Sequence, residues 1–351
     1  MKKILSIILI LLVSLSLFAG GAKEEVKETD TQSTEFIDSL GRSHTFDGEI
    51  ERIAPSGSLS QMILYSLESE KLVGLSSDLS DNELLYMDEK MADLPLFGTF
   101  YGKKANLNKE ALVYASPDVV IDAGDIKDGI AEDLDNLEKE IGIPVVFIEC
   151  FLTNTADAYR KLGSLVGNEE RAEILASYSQ KAIDKADEAR NMIENPVSVY
   201  YSSSPDGLNG IPTGNFHAEV IELVGGENVI PANFSSGSNI VSLEQILIWN
   251  PDVILLVDEN AYSLVTTDPS WASLDAVKNN RVYLIPHSPY SFIDNPPAIN
   301  RIIGIYWLGS VLYPDLYSEI DLEEEVRTFY NLFYGYSLSD EEVKKLLTSQ
   351  P

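Results

Sequence analysis

Residues 110–122, EALVYASPDVVID, and residues 244–256, EQILIWNPDVILL, carry one pattern twice: Glu, six residues, then Pro-Asp-Val. Each copy reads as a short helix that stops ahead of a proline, because the residue before proline is pushed out of the helical region. The apolar run that follows suits a parallel strand covered on both faces. Upstream of each copy lies a second match, ILYSLESEKLVGL at 63–75 against EVIELVGGENVI at 219–230. Two matches in the same order point to a second half that repeats the first.

Working outward, the first half alternates strands at 72–75, 119–123 and 144–148 with helices at 107–115 and 130–141, after a hairpin around Gly41. The second half restarts after Pro196, with strands at 197–201, 253–257 and 282–285 and helices at 216–223, 243–249 and 271–276. Such alternation gives parallel sheets with helices on their faces. Between the halves, Ala172, Leu175, Tyr178, Ala182, Ala186 and Ala189 fall at three-to-four spacing over 169–194 without Gly or Pro. That predicts one amphipathic helix of ~26 residues, roughly 39 Å long, capped by Asn168 and ended by Asn195 and Pro196. The fold class is therefore α/β: two Rossmann-like lobes with mostly parallel sheets, 35–167 and 196–351, joined by one long helix at 168–195. One straight connector resists hinge bending, so little closure on binding is expected.

Ahead of the lobes, Lys2 and Lys3 precede an apolar run at 4–13, interrupted by serine, and then the small residues 19–22. This is the layout of a signal peptide over 1–22, too short in apolar length for a spanning helix. The polar stretch 23–34 reads as a disordered tether. Cys150 is the only cysteine, so there is no internal disulfide and no lipid-bearing cysteine after the signal. An exported, extracytoplasmic protein, monomeric, is the expectation. A net charge of −31 excludes nucleic acid as a partner, because phosphates would be repelled. No nucleophile with its base is visible either. GSLSQ at 57–61 lacks the last glycine of a nucleophile elbow, and GTFYGKK at 98–104 is too short for a phosphate-binding loop. A lone cysteine cannot hold a metallocluster, so no enzyme activity and no cofactor are expected.

The segments RIAPSGSLSQMILYSL, LNKEALVYASPDVVID, VGGENV, VSLEQILIWNPDVILL and NNRVYLIP together resemble the helix-linked class of ABC-importer solute-binding proteins, those carrying ferric siderophores, haem, corrinoids and related chelates. The resemblance covers essentially the whole chain after the tether. It implies a receptor that captures an iron chelate between its lobes and delivers it to a permease. It also implies that an acidic residue on each lobe docks on the membrane subunits; by position these are Glu110 and Glu244. The run SFIDNPPAINRIIGIYWLGSVLYPDLY resembles a branch that includes a molybdate/tungstate receptor, so an oxyanion or a corrinoid stands as the alternative ligand. A metallocluster enzyme or a structural protein stands further off.

Ligands of open α/β sheets bind beyond the carboxyl ends of the strands, and lobe interfaces favour pockets. The loops so placed carry Ser58, Phe100, Tyr101, Lys103, Lys104, Asp125, Phe216, His217, His287, Tyr290 and Arg301. The aromatics suit a chelate or flat organic ligand. Lys103 and Arg301 suit an anionic one, Arg301 through bidentate donation. Three histidines in the whole chain argue against a bare divalent ion, with His287 the one possible metal ligand.

Overall fold

The computed structural model describes residues 33–101, 105–234, 239–294 and 296–348. The expected signal peptide, most of the tether, and Lys103 and Lys104 lie outside them. The tether was expected to reach Thr34, but Ser33 and Thr34 already pair with Asp47 and Phe46 in the opening hairpin of β1 (Ser33–Ile37) and β2 (Ser43–Asp47). Phe36 and Phe46 alternate inward there, which anchors the hairpin to the core.

In the first lobe, β3 (Ile53–Pro55) leads into α1 (Ser58–Glu68), and a short α2 (Asp81–Leu84) follows. Next come α3 (Lys109–Ala115), β4 (Val119–Gly124), α4 (Ile130–Ile141), β5 (Val145–Glu149) and α5 (Thr155–Val166). Their sheet is parallel, in the order β3-β4-β5. The strand expected at 72–75 is absent as such; only isolated bridges, Ile53 to Leu72 and Leu75 to Leu96, form along that edge. Helix α5 went unassigned from sequence.

The connector α6 (Glu169–Arg190) is 22 residues, about 33 Å, capped by Asn168 Oδ1 accepting from Arg171 N. It ends four residues short of the expected limit. The second lobe runs β6 (Ser198–Ser202), α7 (Glu219–Leu223), β7 (Glu227–Asn228), α8 (Leu243–Trp249), β8 (Val253–Leu256), α9 (Glu259–Thr267), α10 (Asp275–Lys278) and β9 (Val282–Leu284). Its sheet is parallel in the order β7-β6-β8-β9. Three helices close the chain: α11 (Asn300–Leu312), α12 (Leu322–Tyr334) and α13 (Asp340–Leu347).

The repeated motif builds the same corner in both lobes. Helices α3 and α8 each have seven residues, a side-chain N-cap from Asn108 or Ser242, and a left-handed C-cap at Ser116 (φ 49°) or Asn250 (φ 43°). The proline then starts the turn into the strand. The aspartate of each Pro-Asp-Val reaches across to the neighbouring strand's entry. Asp118 Oδ2 accepts from Glu51 N and Arg52 N at 2.8 and 2.9 Å, and Asp252 Oδ2 accepts from Ser198 N at 3.0 Å and Ser198 Oγ at 2.7 Å. These bonds fix the register in which β3 meets β4 and β6 meets β8.

Helix α12 departs from the simple two-lobe reading, because it crosses back to the first lobe and packs on α1. Tyr65 of α1 donates to Tyr334 O at 3.3 Å, and Tyr86 stacks edge-on against Tyr330. A single hydrophobic cluster accordingly runs from the first sheet through α6 to α11 and α12.

Candidate functional site

Loops at the carboxyl ends of the strands bring the lobes together in two places. After β5, Phe151 meets the Phe216 ring edge-on at 6.3 Å, and Leu152 N lies 3.5 Å from Glu219 Oε2. After β9, Ser288 Oγ donates to Asn82 Oδ1 at 2.9 Å, and the Glu83 carboxylate beside Tyr290 adds to the burial that raises the pKa of its hydroxyl. Both Asn82 and Glu83 belong to α2 of the first lobe.

The best-defined polar constellation lies beside the first contact. Asn215 Oδ1 accepts from His217 N at 2.9 Å, turning the chain so that the imidazole faces outward, its side chain 48% exposed. His217 Nδ1 sits 2.6 Å from Asp294 Oδ1, and Tyr201 donates to Asp294 Oδ2 at 3.2 Å. Asp294 is itself buried, its backbone N–H donating to Ser291 Oγ. The hydrogen bond to Asp294 raises the His217 pKa above its ordinary value, against the opposing pull of burial. With Nδ1–H donating to the carboxylate, Nε2 is the nitrogen left toward solvent. It can take a proton and donate, or stay bare and ligate a metal.

Arg301 has a different setting from the one expected of it. It is 2% exposed, donates to Glu219 Oε2 at 2.6 Å and to Phe216 O at 3.3 Å, and lies 4.4 Å from the Phe216 ring centroid. Its guanidinium is spent beneath the site, holding the segment that bears Phe216 and His217, so it does not stand open to a bound anion. Cys150 lies near it, buried, with its thiol pushed up to about 11 by burial.

The remaining expected residues scatter. Ser58 is the half-buried first residue of α1. Phe100 and Tyr101 pack on each other at 4.5 Å and against the first lobe's core, and the Tyr101 hydroxyl is buried without a partner. Asp125 pairs with Lys127 at 3.2 Å. His287 is exposed, its Nδ1 3.4 Å from Ile285 O, and Tyr290 is half-buried, with Glu83 of the first lobe beside it. Among the described residues no group of three or more His, Cys, Asp or Glu could hold a metal ion, so His287 belongs to no such group there. Glu110 and Glu244 are exposed in the first turns of α3 and α8.

Sequence reasoning missed Asp294, Tyr201 and Glu219, and also a buried pair in the first lobe. Asp122, at the end of β4, is hydrogen-bonded by Ser56 Oγ, and burial pushes its carboxyl up to about 6. A carboxylate inside the apolar run VVIDAG was the available signal. Two concavities of about 870 and 800 Å³ lie elsewhere, one behind the opening hairpin and one along α6. No helix among the described residues is long and apolar enough to cross a membrane.

The chain matches the family model described as periplasmic binding protein over residues 60–289. It is 26% identical over 262 residues to the molybdate-binding protein MolA of Haemophilus influenzae, covering 67% of this chain and 72% of that protein. It is 25% identical over 313 residues to the iron-uptake system-binding protein of Bacillus subtilis, covering 81% and 91%. Among solved structures, an ABC transporter solute binding protein from Sulfurospirillum deleyianum superposes with a TM-score of 0.81 at 31% identity, covering 89% of this chain and 98% of that one.

Proposed function

The chain belongs to the periplasmic binding protein family, a family of solute binders rather than enzymes, and on that premise we propose that it is an ABC importer's extracytoplasmic receptor for an iron(III) chelate. It takes a ferric siderophore or haem-like ligand between its lobes and passes it to a permease, which it meets through Glu110 and Glu244. The signal peptide at 1–22 serves its export.

The observation that carries the ligand reading is the His217–Asp294 pair at 2.6 Å. A carboxylate on one imidazole nitrogen fixes the ring and raises the basicity of the other, the usual support for a metal-ligating histidine. A chelate that leaves iron a vacant position needs only one such ligand, which suits a chain whose described residues gather no three-ligand site. Phe216 and Phe151 supply an aromatic wall beside it. The similarity to the Bacillus subtilis iron-uptake binding protein supports the same reading.

A second reading, molybdate or tungstate, is favoured by the similarity to MolA and by the raised His217 pKa, since a protonated imidazole donates to an oxyanion. Thermal shifts with ferric catecholate chelates, ferric citrate, haem, cobalamin, molybdate and tungstate separate the two. A ligand at a hundredfold excess over its Kd adds about 2.7 kcal/mol of stability. The iron reading expects a shift with a ferric chelate that His217→Ala removes, together with a His217-dependent change in the chelate's visible absorption. A shift with oxyanions alone transfers the assignment to the second reading, and no shift with any of them refutes both.

A further inference from the structure

Large apolar side chains exposed singly on a surface need no explanation. Two of them here recur at one place in the duplicated motif. Tyr114 is 93% exposed and Ile248 is 75% exposed, each four residues beyond the acidic residue of its copy, Glu110 or Glu244. Residues four apart share a helix face, about 5–6 Å apart at Cβ. The opposite face is anchored by the same offset in both lobes, because Leu112 and Ile246, two residues after each glutamate, are fully buried. Helices of equal length, capped alike at both ends, thus present a glutamate and a large apolar side chain outward as a unit. Burial would have been the default for such side chains, and the neighbours Leu112 and Ile246 show that these short helices do have a core to offer.

Resting on the reading of the chain as an importer receptor, we propose that Tyr114 and Ile248 are apolar anchors of the docking surface, one per lobe. Each sits one helical turn from its glutamate and fills an apolar recess beside a basic pocket on the paired membrane subunits. A partner with two like surfaces is what two like patches on two lobes fit. A second copy of this chain is disfavoured as the occupant, since both patches are acidic and the chain carries a net charge of −31. The division of labour follows from the chemistry: the glutamates steer approach, and the desolvated apolar groups slow departure.

The test uses the purified receptor and the importer's purified membrane complex in lipid nanodiscs, with association and dissociation rates measured between 50 and 300 mM salt. Tyr114→Ser with Ile248→Ser should raise the dissociation rate on the order of tenfold or more and leave the salt dependence of association unchanged. Glu110→Gln with Glu244→Gln should slow association and flatten its salt dependence. Both apolar positions are exposed, so thermal melting of the variant should match the parent's, which reports on folding independently. Binding of the apolar variant within twofold of the parent, while the glutamate variant loses binding, overturns the anchors and leaves the receptor reading intact. Failure of the parent to bind the complex refutes the receptor reading itself. A parent that dimerises in light scattering, and a Tyr114→Ser, Ile248→Ser variant that does not, assigns the patches to a second copy and overturns the proposal.

Discussion

Breaking the His217–Asp294 pair should weaken the fold in a manner set by pH. In the folded chain the His217 pKa lies above its ordinary 6.5, so folding binds a proton more tightly than the unfolded chain does. The stabilisation is then fully present below about 6.5 and is lost as pH rises through the folded value. A charge-assisted hydrogen bond contributes about 1.5–3 kcal/mol when well shielded. The imidazole is 48% exposed, and solvent screening reduces the figure to about 1 kcal/mol. Asp294→Asn keeps the shape and leaves Tyr201 an acceptor, whereas Asp294→Ala would also orphan that fully buried hydroxyl. The assay is a double-mutant cycle of His217→Ala and Asp294→Asn by urea unfolding. The coupling should be about 1 kcal/mol at pH 6 and smaller at pH 9, because rising pH removes the proton from His217. Coupling equal at both pH values, or larger at pH 9, would refute the pairing.

Four further outcomes follow from single contacts. Asp118→Ala strips the acceptor from two backbone N–H groups and should cost about 1–2 kcal/mol in chemical denaturation, with Asp252→Ala similar. Gly304→Ala should fail to accumulate as folded protein, because a Cβ there would lie 1.7 Å from Phe292 O; Gly57→Ala, with nothing within 4 Å, should melt close to the parent. The Cys150 thiol should react with a disulfide reagent at pH 8 at least ~100-fold more slowly in native protein than in guanidinium, since it is buried and its pKa is about 11. Glu110→Ala with Glu244→Ala should leave ligand affinity unchanged and abolish uptake in cells, and a loss of ligand affinity would contradict a docking role.

The corner at each Pro-Asp-Val was legible because its instructions are local. A proline stops the helix and an apolar run makes the buried strand, whatever the rest of the chain does, while the caps at Asn108 and Ser242 went unread. The work of Asp118 and Asp252 was not legible, since their partners at Arg52 and Ser198 are more than fifty residues away and carry no pattern. The same distance hid the site. His217 stood out by rarity, but Asp294 pairs with it from 77 positions away, inside a run read only for its resemblance to a branch of the family. Arg301 shows the converse error. Its charge suggested a ligand donor, while burial under Phe216 and a carboxylate at 2.6 Å, visible only after folding, turned it into support. The segment at 72–75 was misread because apolar composition alone cannot say whether an edge pairs continuously or through isolated bridges.

The path of α12 alters the argument about motion between the lobes. A single connector was expected to limit bending by its own stiffness. The chain crosses twice, once in α6 and again when α12 returns to α1, and side chains tie the crossings to each other. Tyr178 of α6 donates to Glu325 O at 3.1 Å, and Arg171 donates to Leu332 O. Two crossings with shared bonds resist shear and twist as well as bending, because a rotation tolerated by one helix must break contacts of the other. The apolar cluster that spans them would also have to open, exposing side chains such as Phe329 and Phe333 that are buried at the joint. Large closure about the joint would therefore cost core burial. What can move at lower cost lies on the loops after β5 and β9, whose lobe contacts are a long hydrogen bond at Leu152, an aromatic edge contact at Phe151 and the Ser288–Asn82 bond. Loop and side-chain adjustment around His217 is thus the low-cost motion, on a frame in which α3 and α8 stay anchored to their own lobes through Leu112 and Ile246.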